Sequence, residues 1–266
     1  SPLEGARRRV VARLMSRRPP ENRRRQGEVY ISVDVETDGP IPGDCNMVSV
    51  GASVCGKTMG SGFERIDNGT TFYRELETEF PGDPDTRRWL AGQGFELNAP
   101  QAVSPKLAMI HFRDWIEMTS DNLGCRPVYV AYPLGFDWSF THWYFEHYLG
   151  WKADPFGFSN ALDIKTCFAA KSGRPLLGSL KRNMPRAVKT VKTPHTHNAK
   201  DDAVGQGELF ANLMEWAPLM DDAVIEHCWE EVFGEEPQPE DFLPEFRAKK
   251  RIQEILQAAV DVNGRK

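Results

Sequence analysis

The 266-residue chain has no stretch approaching the roughly 20 apolar residues that span a bilayer, so no membrane-spanning helix is expected. It has no secretory apolar segment near its start, and its arginine-rich opening is too poor in serine for an organellar transit peptide. Paired cysteines are missing too. Cys45, Cys55, Cys125, Cys167 and Cys228 are odd in number and scattered, and none forms a C-x-x-C pair. That argues against a disulfide framework and against a zinc site, and it fits a reducing, cytoplasmic setting. No internal repeat is visible. At this length, one large domain with appendages or two small ones can bury a real core.

What is present is uneven charge. The formal net charge is -5. Arg7, Arg8, Arg9, Arg13, Arg17, Arg18, Arg23, Arg24 and Arg25 crowd the start, and acids crowd the stretch from Asp221 to Glu245. Such asymmetry suggests a basic arm for a polyanion, an acidic tail, or the two neutralising each other. Residues 1–27 read as that arm, broken by Pro19, Pro20 and Gly27.

The folded body begins at Val29. "VYISVDVE" reads as a buried central strand, "MVSVGASVCG" and "TTFYREL" as the next two, and Thr86–Ala91 as a short helix. "SPKLAMIHFRDWIEMTSDN" has helical period, with Ser104 as N-cap and Leu107, Ile110, Trp115 and Met118 as its apolar positions. "RPVYVAYP" reads as a strand, followed by the aromatic helix "DWSFTHWYFEHYLG". "SNALDIKTCFAAKSG" then reads as strand and short helix, and a last helix follows Asn198. Strands alternating with helices after a three-strand start predict an α/β domain with a mixed sheet.

Chemistry concentrates in acids and histidines. Asp34 and Glu36 stand two apart on a strand and so leave the same face, with Val33 and Val35 on the other. Carboxylates so placed repel unless a cation sits between them; the plainer reading is a strand running out into a polar turn. Asp137 follows a strand and starts a helix, a position equally suited to an N-cap, as is that of Asp163. On the last helix Asp202 falls inside the apolar arc of Ala199, Ala203, Phe210, Leu213 and Met214, while Asp201 falls on the wet face. Unpaired burial of a carboxylate is costly, so Asp202 needs a partner or a metal. His197 and Asp201 are four apart and form either a helix-surface pair or, with Pro194 marking a loop, a site overhung by His197. His195 is a loop residue with no motif role.

Together these residues resemble the DEDDh 3′–5′ exonucleases, the ribonuclease H-like group that includes ribonuclease T, oligoribonuclease and the polymerase III proofreading subunit. The D-x-E motif matches Asp34 and Glu36 in "DVETDG", the second acidic motif matches Asp137 in "AYPLGFD", and H-x-x-x-x-D matches His197 to Asp202 in "HNAKDD". "RPVYVAYPLGFDWSF", "LDIKT", "KRNMP" and "PHTHNAKDDA" are similar to a bacterial subgroup of exonuclease or exoribonuclease-like proteins. Many members carry His-Asn where this chain has Tyr132-Pro133.

The resemblance implies a mixed five-stranded sheet flanked by helices over residues 28–218, between the arm at 1–27 and a charged helical extension at 219–266. It implies two divalent cations, Mg²⁺ or Mn²⁺, with Asp34 on both, Glu36 and Asp202 with one, Asp137 with the other, and His197 as general base. Backbone groups of Thr37 and Asp38 become candidate contacts to a 3′-terminal nucleotide, and Met47 either wedges its terminal base or is plain strand core. Lys181, Arg182 and Arg186 become candidates for phosphates, and Phe136, Trp138 and Phe140 either stack on bases or fill the core. The expected activity is release of nucleoside 5′-monophosphates from single-stranded 3′ ends, with RNA slightly favoured over DNA. Rival expectations are a proofreading or effector subunit docking through its extension, a non-catalytic binding module, and a homodimer.

Overall fold

The computed structural model describes residues 25–60 and 62–216; the arginine-rich arm up to Arg24 and the charged extension lie outside the described residues. Among the described residues, six strands form one mixed sheet. Its centre is β1 (Gly27–Thr37), antiparallel along its length to β2 (Met47–Met59) and parallel to β5 (Cys125–Ala131). Beyond β2, two short strands, β3 (Gly62–Arg65) and β4 (Thr71–Glu75), pair with successive stretches of the same edge. The opposite edge is β6 (Ala161–Asp163), parallel to β5. The sequence pattern predicts one strand beyond β2. The second, β3, is short and half exposed and lacks the apolar run that would announce it.

Helices cover both faces. These are α1 (Pro84–Gly92), α2 (Pro105–Leu123), α3 (Leu134–Leu149), α4 (Ile164–Ser172), the single turn α5 (Arg186–Lys189) and α6 (Ala199–Glu215). The alternation of β1 divides its side chains. Val29, Ile31, Val33 and Val35 join the core with Met109, Phe112, Phe140 and Phe145 of α2 and α3. Tyr30 and Ser32 face α6 instead, through the rings of Tyr30 and Phe210 (5.1 Å) and the bond from Gln206 Nε2 to Ser32 Oγ (3.1 Å). Asp34 and Glu36 continue that second row, so the pleat itself hands two carboxylates to the α6 side.

Two helix readings need correction. On α2 the buried face is Ala108, Met109, Phe112 and Ile116, whereas Leu107 (41% exposed) and Met118 (56%) look outward. Both faces carry apolar residues at helical spacing, and the sheet lies against the aromatic one. Ser104 precedes α2 but its side chain makes no capping bond. Asp137 is no N-cap, because α3 already starts at Leu134, with Pro133 in the cap position. Asp163 does cap α4, accepting from the Thr166 N–H at 2.7 Å.

Close approach of α6 to the sheet depends on glycine. A Cβ at Gly51 of β2 would overlap the Ala199 carbonyl at the start of α6. At Gly205 it would lie 2.9 Å from the Thr193 carbonyl oxygen, against the segment leading to the histidines.

Candidate active site

The site forms at the C-terminal end of β1, where the first turn of α6 crosses it. Asn198 caps α6, its Oδ1 accepting from the Lys200 and Asp201 N–H groups. Asp202, one residue past Asp201, turns inward with its side chain only 4% exposed; that of Asp201 is 41% exposed and lies 3.7 Å from Lys200 Nζ. Carboxylate oxygens of Asp34, Glu36 and Asp202 come within 4.8 Å of one another. Asp137 stands outside that group. It reaches the same strand end from α3, its Oδ1 accepting the Val35 N–H at 3.1 Å.

Among the described residues no lysine or arginine pairs with these acids, and their protonation shows it. Burial raises the Asp34 carboxyl well above the usual carboxylate range, reinforced by the charges of Asp137, Glu36 and Asp202. Burial, then Asp202 and Asp137, pushes Glu36 up to about 8. Asp137 is raised by burial, against the lowering effect of its Val35 bond. Asp202 Oδ1 accepts from the Thr196 N–H at 2.9 Å, but its buried Oδ2 has no hydrogen bond. His195 Nδ1 lies 2.9 Å from that oxygen without hydrogen-bond geometry. Repelling carboxyls around an orphaned oxygen are the donor set of a hard divalent cation, which would replace the missing counter-charge.

Several residues hold this geometry. Gln206, one turn beyond Asp202 on the same helix face, donates from Nε2 to the Val33 carbonyl (2.9 Å) and accepts the Tyr132 N–H on Oε1 (2.6 Å). It thereby ties α6 to β1 and to the end of β5. Tyr132, in the place of the His-Asn of other members, accepts the Lys181 N–H on its hydroxyl at 2.7 Å. Lys181 lines a cavity of about 320 Å³ together with Asp34, His195 and Asp202; Arg182 is exposed and outside that wall. His197 has a left-handed backbone (φ 58°) and meets the ring edge-on of Trp89 at 5.0 Å and of His195 at 4.3 Å. His197 thus packs on Trp89 of α1 and keeps a ring nitrogen within 4.8 Å of an Asp202 oxygen, with His195 Nδ1 closer still at 2.9 Å.

Three substrate candidates lie inside the protein. Met47 is 0% exposed in the core, its N–H donated to the Tyr144 hydroxyl at 2.6 Å, so it presents no surface to a terminal base. Asp38 is also fully buried, with its N–H on the Asn46 carbonyl and its carbonyl accepting the Asp83 N–H. Its carboxylate takes Arg87 Nη2 at 2.6 Å and Asn46 Nδ2 at 2.7 Å, anchoring α1 and with it Trp89. Thr37 is buried as well and donates its hydroxyl to the Gly39 carbonyl. Phe140 is core and Trp138 packs edge-on against Tyr129, leaving Phe136 the exposed ring of the three. Gln206 was readable from its spacing to Asp202, whereas nothing local marks Trp89.

No family model matches the chain. Over 186 residues it is 33% identical to the 3′–5′ DNA exonuclease Cap18 of Escherichia coli, a match spanning 69% of this chain and 90% of that protein. The chain belongs to the DEDDh 3′–5′ exonuclease family. Its fold is that of solved DEDDh nucleases. The nuclease domain of 3′hExo, a DEDDh family member bound to rAMP, superposes with a TM-score of 0.53 at 11% identity, covering 71% of this chain and 92% of that one. Escherichia coli Exonuclease I in complex with a dT13 oligonucleotide superposes with a TM-score of 0.50 at 14% identity, over 78% of this chain and 44% of that one. The DEDDh acids by which sequence assigns the family are the ones gathered at the end of β1.

Proposed function

We propose that this DEDDh enzyme removes nucleotides from the 3′ ends of single-stranded DNA with the help of two divalent cations, Mg²⁺ or Mn²⁺. The observation that carries the reading is the cluster of Asp34, Glu36 and Asp202 around a buried carboxylate oxygen that has no hydrogen bond. Asp34, Glu36, Asp202 and Asp137 would hold the cations, which supply Lewis acidity toward the scissile phosphate and toward a water. His197 accepts the proton of the attacking water on a ring nitrogen as the P–O bond to the 3′-oxygen breaks, freeing a nucleoside 5′-monophosphate. Lys181 is suited to a backbone phosphate by its place in the cavity wall, with Arg182 beside it on the same turn. Sequence alone leans slightly to RNA; the description of the relative as a DNA exonuclease moves the reading to DNA. The arm at 1–27 and the extension at 219–266 flank this nuclease domain, the arm as a second contact to nucleic acid.

The test is digestion of matched 5′-labelled single-stranded DNA and RNA with Mg²⁺, Mn²⁺ or EDTA. A 3′-to-5′ ladder on DNA that vanishes in EDTA is expected. Full activity in metal-free buffer sinks the two-cation reading, and a faster ladder on RNA reverses the substrate. In single turnovers Asp202→Asn should abolish cleavage and Asp201→Asn should cost little. His197→Ala should slow the step roughly 10²–10⁴-fold with binding retained.

A further inference from the structure

We propose that His195, His197 and Asp202 form a second cation site, which takes a borderline transition ion such as Zn²⁺ and shuts the enzyme off. One ligand atom from each lies within 4.8 Å of the other two. This set shares Asp202 with the carboxylate cluster but differs in chemistry, offering two imidazoles and one carboxylate in place of three carboxylates. Mg²⁺ prefers oxygen donors, whereas Zn²⁺, Co²⁺ and Ni²⁺ accept imidazole readily. The absence of paired cysteines excludes only a cysteine-built zinc site, and none is needed here.

A second observation points to the same place. Thr196 occupies Asp202 Oδ1, leaving Oδ2 buried, without a hydrogen bond and next to His195 Nδ1 at 2.9 Å. Buried carboxylate oxygens are rarely left so. The two rings stand 4.3 Å apart with their planes at 69°, and a nitrogen of each lies within 4.8 Å of an Asp202 carboxylate oxygen. Tetrahedral donors about 2.0–2.1 Å from zinc lie about 3.3 Å apart; His195 Nδ1, at 2.9 Å from Oδ2, is already inside that span, so the site closes by a small adjustment of the 195–197 loop. His195, with its side chain 64% exposed, is free to make that movement.

An ion held there engages the lone pair of His197 and an oxygen of Asp202, leaving no base for the attacking water. This inhibitory consequence rests on the roles given to His197 and Asp202 under the proposed function; the binding itself does not.

Two measurements test the site. Zn²⁺ titrated into the Mg²⁺-supported digestion of single-stranded DNA should inhibit the full chain. His195→Ala, its fold checked by thermal melting, should need roughly 10–100-fold more Zn²⁺ for half inhibition of its own uninhibited rate. Equal sensitivity in the two proteins overturns the proposal. Independently of turnover, Co²⁺ added alone to Asp34→Asn should give the visible bands of nitrogen-ligated cobalt, and these should vanish in the Asp34→Asn/His195→Ala protein. Absent bands in the first protein, or persistent bands in the second, overturn the site whatever the nuclease does. Bands that depend on His195, beside an unsubstituted chain that digests no single-stranded DNA, support the site while removing the proposed activity on DNA.

Discussion

Asp34 and Glu36 are raised by burial and by neighbouring carboxylates, so without metal the folded site holds protons that the unfolded chain gives up. The sign follows. From an unfolded value near 4 up to about 8 for Glu36, the folded state binds more protons, and metal-free stability falls as pH rises through that window. Asp34→Asn removes one repelling carboxyl and should therefore melt higher than the wild type at pH 8 in EDTA, by several degrees, with the gap closing towards pH 4. Mn²⁺ should stabilise the wild type and do little for the variant. Thermal melts across that pH range check this; an Asp34→Asn protein that melts lower than wild type at pH 8 refutes the account. Asp38 is the contrasting case in the same strand turn. Its carboxylate is more deeply buried but receives Arg87 and Asn46, so it needs no metal and serves to hold α1.

At the scale of elements, α6 organises the site through contacts its sequence only half reveals. Its first turn delivers Asp202, and Gln206 fixes its distance to β1. Further along, α6 carries Glu208, whose carboxylate accepts the Lys192 N–H (2.5 Å), the Thr193 N–H (3.1 Å) and the Thr193 hydroxyl (3.0 Å). This clasp grips the chain just before the histidines, and Gly205 lets it approach closely. Glu208→Ala should loosen His195 and His197 and lower the single-turnover rate by about 10²-fold, the cost of a misplacement near 1 Å. Mn²⁺ affinity should hardly change, because no carboxylate of the cluster is touched. Gly205→Ala should act in the same direction by pushing on the Thr193 carbonyl. Stopped-flow single turnovers beside calorimetric Mn²⁺ titrations separate the outcomes, and unaltered rates in both variants would show the clasp to be irrelevant to the histidines. The misread face of α2 belongs to this scale too. Period gives a helix with two apolar faces, and the choice between them was made by the sheet, against which Phe112 stacks on Phe72.

For the whole molecule, charge separates two tasks. The carboxylate cluster repels a polyanion until cations arrive, while arginines crowd residues 7–25. Arg25 is engaged with Asp121 at 2.7 Å, so deletion of residues 1–24 removes the other arginines and leaves that pair intact. If the arm binds substrate, the deletion should weaken binding of single-stranded DNA and flatten its salt dependence, by roughly 0.7 in slope for each phosphate the arm neutralises. Fluorescence anisotropy at several salt concentrations measures this; an unchanged slope would reassign the arm to a protein partner.

What the sequence determined by itself is local and periodic. The two-residue period of a strand places Asp34 and Glu36 on one face, and the 3.6-residue period of α6 turns Asp202 inward and Asp201 outward, with no knowledge of the rest of the chain. The order of these acids and of His197 was enough to assign the family. Tertiary structure decided everything that depends on which surfaces meet. It put Met47 and Asp38 inside, laid Trp89 against His197, and brought His195 Nδ1 to 2.9 Å from the orphaned oxygen of Asp202. Those outcomes arise from packing between segments distant in sequence, whose energies no local periodicity encodes.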